Sequence, residues 1–97
     1  MYAVIFRAEI AEQDSDYSAM SAKMRRIALN QYGCREFTSC TEGNTEISIS
    51  YWDDESQIKE WRYNSEHLAA QGQGRKKWYK SYTVQVVNIV REYSSAT

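Results

Sequence analysis

The side chains able to do chemistry are unevenly spread along this 97-residue chain. The only histidine, His67, and all three tryptophans, Trp52, Trp61 and Trp78, fall between Glu46 and Tyr93. His67 follows Ser65 and Glu66 at an expected helix start, where the positive end of the helix dipole disfavours an imidazolium. A neutral imidazole there suits a general base. The same position equally suits an exposed residue of a first helical turn. Eight tyrosines and three tryptophans exceed what a small core needs, and they point to an aromatic pocket or an interface. One histidine and two cysteines with no CxxC or HxxxH spacing make no metal-ligand set, so no metal site is expected. Cys34 and Cys40, on one extended strand, would lie about 20 Å apart. That is beyond the roughly 7 Å a disulfide allows, so both are expected as small buried residues on one face.

Charge and composition narrow the class. A net charge of −1 gives no general attraction to nucleic acid or anionic lipid, and neither is expected as a partner. The run Arg75-Lys76-Lys77 with Lys80 reads as a solvated helix face. No apolar run approaches the roughly 20 residues of a membrane span. The start MYAVIFRAEI lacks the basic region and cleavage site of a signal peptide, so a cytoplasmic protein is expected. With 42% hydrophobic and 26% charged residues, the chain is expected to form one domain, 1–97, around one modest core.

The elements that must position these residues follow from periodicity. Tyr2 to Ile10 alternates, with Val4, Phe6, Ala8 and Ile10 on one face and Ala3, Ile5, Arg7 and Glu9 on the other. Asp14 or Asp16 is the expected cap of a helix carrying Tyr17, Met20, Met24, Ile27 and Gln31 inward and Lys23, Arg25 and Arg26 to water. Gly33 suits its left-handed end. Cys34 to Thr41 reads as an edge strand, Glu42-Gly43-Asn44 as a hairpin turn, and Thr45 to Trp52 as its partner strand. In that partner Ile47, Ile49 and Tyr51 alternate with Ser48, Ser50 and Trp52. Asp54 followed by Gln57 predicts a capping box on a helix with Ile58 and Trp61 inward. Asn64-Ser65 is expected to break it, with a second helix from Glu66 to about Tyr79 bearing His67, Gln71, Gly74 and Trp78 on one stripe. Gly72 and Gly74 weaken that helix by about 1 kcal/mol each. Tyr82 to Tyr93 is the last strand, apolar on both faces.

Strand, helix, strand, strand, helix pair, strand is the α+β, ferredoxin-like βαββαβ plan. Right-handed crossovers put both helices on one face of a four-stranded antiparallel sheet. The first and last strands are apolar on both faces, so the bare face calls for cover. Two sheets packed face to face, a homodimeric α+β barrel, would supply it.

The segments EISISYWDDESQIKEW, EHLAAQ and KWYKSY…VREY resemble the antibiotic biosynthesis monooxygenase domain family. The similarity runs over nearly the whole chain and is closest from Glu46 onward. The resemblance implies a dimeric α+β barrel and, among characterised members, cofactor-independent monooxygenases of polycyclic aromatic phenols. Such an enzyme needs a dry aromatic pocket, orienting polar groups and a base, without metal or flavin. Trp61 matches the tryptophan on the second helix of family enzymes and, with His67, is the candidate catalytic residue. Tyr51, Gln71 and Trp78 are the candidates to line the substrate pocket. The family also holds haem-degrading monooxygenases, which use an asparagine on the first strand and a histidine ten residues after the tryptophan. Here those positions have Arg7, with no asparagine on that strand, and Gln71, which weakens the haem alternative. A non-catalytic dimeric ligand-binding protein on the same fold is the other alternative.

Overall fold

Alternation and helix spacing produce the expected order. The computed structural model describes residues 1–12, 15–71 and 78–96, and the side chains of all but 66–71 of these. β1 spans Tyr2–Ile10, α1 Ser15–Gln31, β2 Glu36–Glu42, β3 Thr45–Trp52, α2 Glu55–Gln71 and β4 Tyr79–Asn88. The four strands form one antiparallel sheet in the order β2-β3-β1-β4. β2 is an edge strand, as its charged start predicts.

The register sorts side chains between the two faces. Val4 lies opposite Ser50 and Val86, and Tyr2 opposite Trp52. These positions belong to the face under the helices, where Val4, Ala28, Cys34, Trp52 and Ile58 form the buried core. Trp52 is the largest fully buried side chain, and its Nε1–H donates to Ser50 Oγ at 2.8 Å. α1 and α2 are tied by Trp61 Nε1–H, which donates to the Met24 carbonyl at 3.0 Å. The other face carries Ala3, Ile5, Ile47, Ile49, Tyr51 and Val87, with no helix over it among the described residues. Ile47 and Val87 are exposed there.

Local signals act as their chemistry requires. Asp54 N–H donates to Gln57 Oε1 at 3.2 Å, and Asp54 Oδ1 accepts from the Ser56 N–H at 3.1 Å, which completes the capping box. Gly33 takes φ +81°, and the Cys34 N–H closes on the Ala28 carbonyl at 3.0 Å. Gly43, φ +60°, opens the two-residue turn between the paired Glu42 and Thr45. The alternative caps at α1 separate: Asp16 lies inside its first turn, and Asp14 lies outside the described residues.

Four boundaries differ from expectation. α2 runs through Asn64-Ser65 without a break. Ser65 Oγ donates to the Trp61 carbonyl one turn back, at 2.8 Å, so its hydroxyl is satisfied within a continuous helix. Asn64 Nδ2–H donates to Tyr32 Oη across the helix pair at 2.8 Å. β4 begins three residues earlier than Tyr82, because Tyr79 pairs with Ile10. It stops at Asn88, the partner of Tyr2, and one further bond, from the Ile89 N–H to the Met1 carbonyl at 3.0 Å, closes the pairing. β2 starts at Glu36, so Cys34 sits in the core while Cys40 on the strand is exposed, and the shared buried face expected for the two cysteines does not form. The glycines Gly72 and Gly74 and the run Arg75-Lys76-Lys77 lie outside the described residues.

Candidate active site

The helix-facing side of β3 reads Glu46, Ser48, Ser50, Trp52. Three small or polar positions under a helical layer leave space that leucines would fill. A cavity of about 100 Å³ occupies it. Val4, Phe6, Val84, Ile58 and Met24 give it an apolar wall, and Ser21, Ser39, Ser48, Ser50 and Ser65 line it with small polar side chains.

Aromatic rings frame both ends. Trp61 packs on Trp52 at 5.4 Å and edge-on to Phe37 at 6.0 Å. At the other end Tyr17 meets Trp78 at 5.4 Å and Tyr79 at 5.9 Å, both nearly perpendicular, and Phe6 meets Tyr79 at 5.4 Å. Perpendicular pairs place ring edges on ring faces, the favoured geometry.

Glu46 stands at this second end. It is 9% exposed. The Tyr17 hydroxyl donates to Oε1 of its carboxylate, and the Tyr79 hydroxyl donates to Oε2 at 3.1 Å. Burying a carboxylate is costly unless its oxygens are hydrogen-bonded, and both are. Burial, then the neighbouring Tyr17 hydroxyl and the Glu46 charge, push the Tyr79 hydroxyl far above its ordinary range, so it stays a neutral donor. The Nε1–H of Trp78, on the cavity wall and 3% exposed, has no acceptor among the described residues. A buried donor without a partner costs about 1–3 kcal/mol, so the wall presents an unspent hydrogen bond.

The structure brings Trp61 and Trp78 to this cavity. The Trp61 N–H is already committed to Met24, so its ring, not its nitrogen, faces the space. Tyr51 is a correction: it pairs with Ala3 and Glu36 and alternates with the buried Trp52, which puts it on the sheet face away from the helices. The side chains of His67 and Gln71 lie outside the described residues. Glu46, Tyr17 and Tyr79 are the residues that reading the sequence missed. The available signal was phase: Glu46 shares a face with Trp52, so a strand that buries Trp52 must bury this carboxylate too.

A wider groove of about 620 Å³ runs between α1 and β2. It shares Tyr17, Ser21, Phe37, Ser39 and Glu46 with the cavity. Arg25 and Arg26 lie along it.

Comparison with known proteins agrees with this fold. No family model matches the chain. It is 38% identical over 92 residues to YqjZ, an uncharacterized protein of Bacillus subtilis (strain 168), covering 94% of this chain and 81% of that one. Among solved structures it resembles SnoaB, a cofactor-independent oxygenase from Streptomyces nogalater, with a TM-score of 0.76 at 12% identity over 97% of each chain. An antibiotic biosynthesis monooxygenase superposes with a TM-score of 0.63 at 13% identity, over 94% of this chain and 100% of that one. MhuD, solved with two manganese protoporphyrin IX bound per active site, superposes with a TM-score of 0.58 at 12% identity over 96% and 99%. Identities this low establish the shared fold and nothing finer. The chain belongs to the family of Bacillus subtilis YqjZ, built on the fold of the antibiotic biosynthesis monooxygenases.

Proposed function

We propose that the chain is a cofactor-independent monooxygenase of a small, electron-rich phenol, with Glu46 as its base. The observation that carries this reading is the buried Glu46 carboxylate, held by two phenols on the wall of an otherwise apolar, aromatic cavity. A buried carboxylate on a cavity wall is placed to accept the proton of a phenol bound beside it. Glu46 removes the phenolic proton. The phenolate gives one electron to O₂, and the resulting superoxide joins the ring carbon para to the oxygen. Loss of water leaves a carbonyl there. One oxygen atom enters the product, which is a quinone, and the other leaves as water with the two hydrogens of the O–H and C–H. Trp78 Nε1–H is placed to orient the substrate oxygen or the peroxide. Trp61, Trp52 and Phe37 exclude water from the far end. His67 and Gln71, on the last turns of α2, remain candidates for a second proton carrier and a pocket residue.

Cavity size limits the substrate. An apolar cavity of roughly 150 Å³ accepts one benzene, so a chamber of about 100 Å³ admits a single ring once the flexible Met24 repacks. The inner chamber alone is too small for a porphyrin, which belongs with ligands that need about 300–1,000 Å³, and the wider groove beside it has no histidine among its described lining residues to hold an iron. The residues on β1 offer no asparagine either. Haem chemistry is therefore not part of the proposal.

The proposal includes a homodimer formed through the helix-free sheet face, with the segment after β4 adding to it. Val90 and Tyr93, 88% and 84% exposed, extend beyond the last paired residue as apolar side chains without cover.

Oxygen uptake with a panel of single-ring, electron-rich phenols that carry hydrogen para to the hydroxyl tests the reaction. Removing a general base costs about 10²–10⁴-fold. Uptake that falls by this factor in Glu46→Gln supports the proposal. No turnover across the panel, or turnover indifferent to Glu46→Gln, favours a non-catalytic binding protein.

A further inference from the structure

We propose that the natural ligand is an aromatic acid, which lies along the α1–β2 groove with its anionic tail on Arg25 and Arg26 and its ring in the cavity beside Glu46. This rests on the oxygenase reading for the identity of the reacting end, but not for the binding itself.

The groove and the cavity are one continuous space, because Tyr17, Ser21, Phe37, Ser39 and Glu46 border both. Its two ends differ in charge. Glu46 stands where the groove meets the cavity, and Arg25 and Arg26 stand along α1. Arg35 pairs with Asp53, and neither groove arginine has a described carboxylate as its ion-pair partner. Arg25 is also held in place: its guanidinium lies 5.9 Å from the Phe37 ring centroid, a cation–π contact on the wall that groove and cavity share. A guanidinium fixed in this way loses less freedom when it takes a carboxylate.

The polarity fixes orientation. An anionic group beside Glu46 would be repelled, and a neutral phenol there finds an acceptor for its proton. An anionic group at the other end meets two cations. Tyr17, Ser21 and Arg25 recur every four residues on one stripe of α1. Eight residues of helix span on the order of 12 Å, so a ring with a flexible acid tail of about that length reaches both ends. The single-ring cavity and the wider groove outside it suit such a molecule better than a fused polycycle.

The probes are 5-(3-hydroxyphenyl)pentanoate, whose carbon para to the hydroxyl carries hydrogen, and its primary amide, titrated against tryptophan fluorescence at low salt. The acid is expected to bind at least tenfold more tightly than the amide. Arg25→Gln/Arg26→Gln is expected to bring the acid down to the amide's affinity, and 0.5 M salt to narrow the gap in the unaltered chain. Equal affinity for the two probes, no binding of either, or a preference that survives the double substitution overturns the proposal. Arg26→Gln alone, which leaves the Phe37 contact intact, gives the same readout with a partial loss if the double variant does not fold. A preference for the acid without oxygen uptake would sink the reaction and leave this site standing. Uptake that depends on Glu46, with acid and amide bound alike, would do the reverse.

Discussion

At the Tyr79 hydroxyl, burial and a neighbouring carboxylate act in the same direction. Both hold the phenol neutral in the folded chain, well above the ordinary value near 10 that it regains on unfolding. A folded-state pKa raised in this way contributes stability that is fully present below about pH 10 and is lost as pH climbs past the unfolded value. The thermal midpoint should therefore be flat from pH 7 to 9 and fall above pH 10, and the fall should be shallower in Tyr79→Phe. That variant should also start lower at neutral pH by about 1–3 kcal/mol, because Glu46 keeps only the Tyr17 donor. Parallel pH slopes in the two proteins would show that Tyr79 is not linked to folding. The same residues show where reading the sequence stops. Glu46 was plain in the sequence as a strand residue, but nothing local revealed that Tyr17, 29 positions away, and Tyr79, 33 positions away, converge on it. For Tyr51 the sequence itself holds the answer: its alternation with Trp52 places it on the opposite face.

Among the elements, the end of α1 and the start of α2 are mechanically joined. A Cβ on Gly33 would approach Gln57 Nε2 to 2.6 Å, and Gln57 is the side chain that caps α2 through the Asp54 N–H. Gly33→Ala should cost about 1–2 kcal/mol from the left-handed backbone alone, with a further loss from the displaced cap. Gln57→Ala removes both the obstacle and the cap. Denaturant melts of the two single variants and the double variant should then show the pair costing less than the sum of its parts. Strict additivity would refute the coupling. Element types and order were legible because alternation, the capping box and Gly33 each leave a local mark. Ends were less so. Asn64-Ser65 looks like a break by composition, but Ser65 finds its partner one turn back and the helix continues. The end of β4 leaves no such mark, because Ile89 and Val90 keep the strand's β-branched character after its regular pairing with β1 stops at Asn88.

For the molecule as a whole, one sheet face holds the helices and the other holds Ile5, Ile47, Ile49 and Tyr51, with no helix among the described residues packed on it. Pairing with a second copy would remove this surface from water. Ile47 is 40% exposed in the single chain, so Ile47→Glu should cost the isolated fold less than about 1 kcal/mol. In a face-to-face dimer the same change places two carboxylates in an apolar interface, at several kcal/mol. Sedimentation at micromolar concentration should give a dimer for the unaltered chain and a monomer for the variant. A monomer in both cases would rule out the paired-sheet arrangement.

The serines of β3 carry a further implication. The chamber exists because Ser48 and Ser50 occupy positions where a sheet under helices would ordinarily carry bulk, and so its dimensions are written in side chains alone. Exchanging the Ser48 hydroxymethyl for an isopropyl group would shrink the hollow while every strand and helix kept its course. Cousins of this chain can therefore diverge in what they accept through a handful of such swaps, with the scaffold held constant.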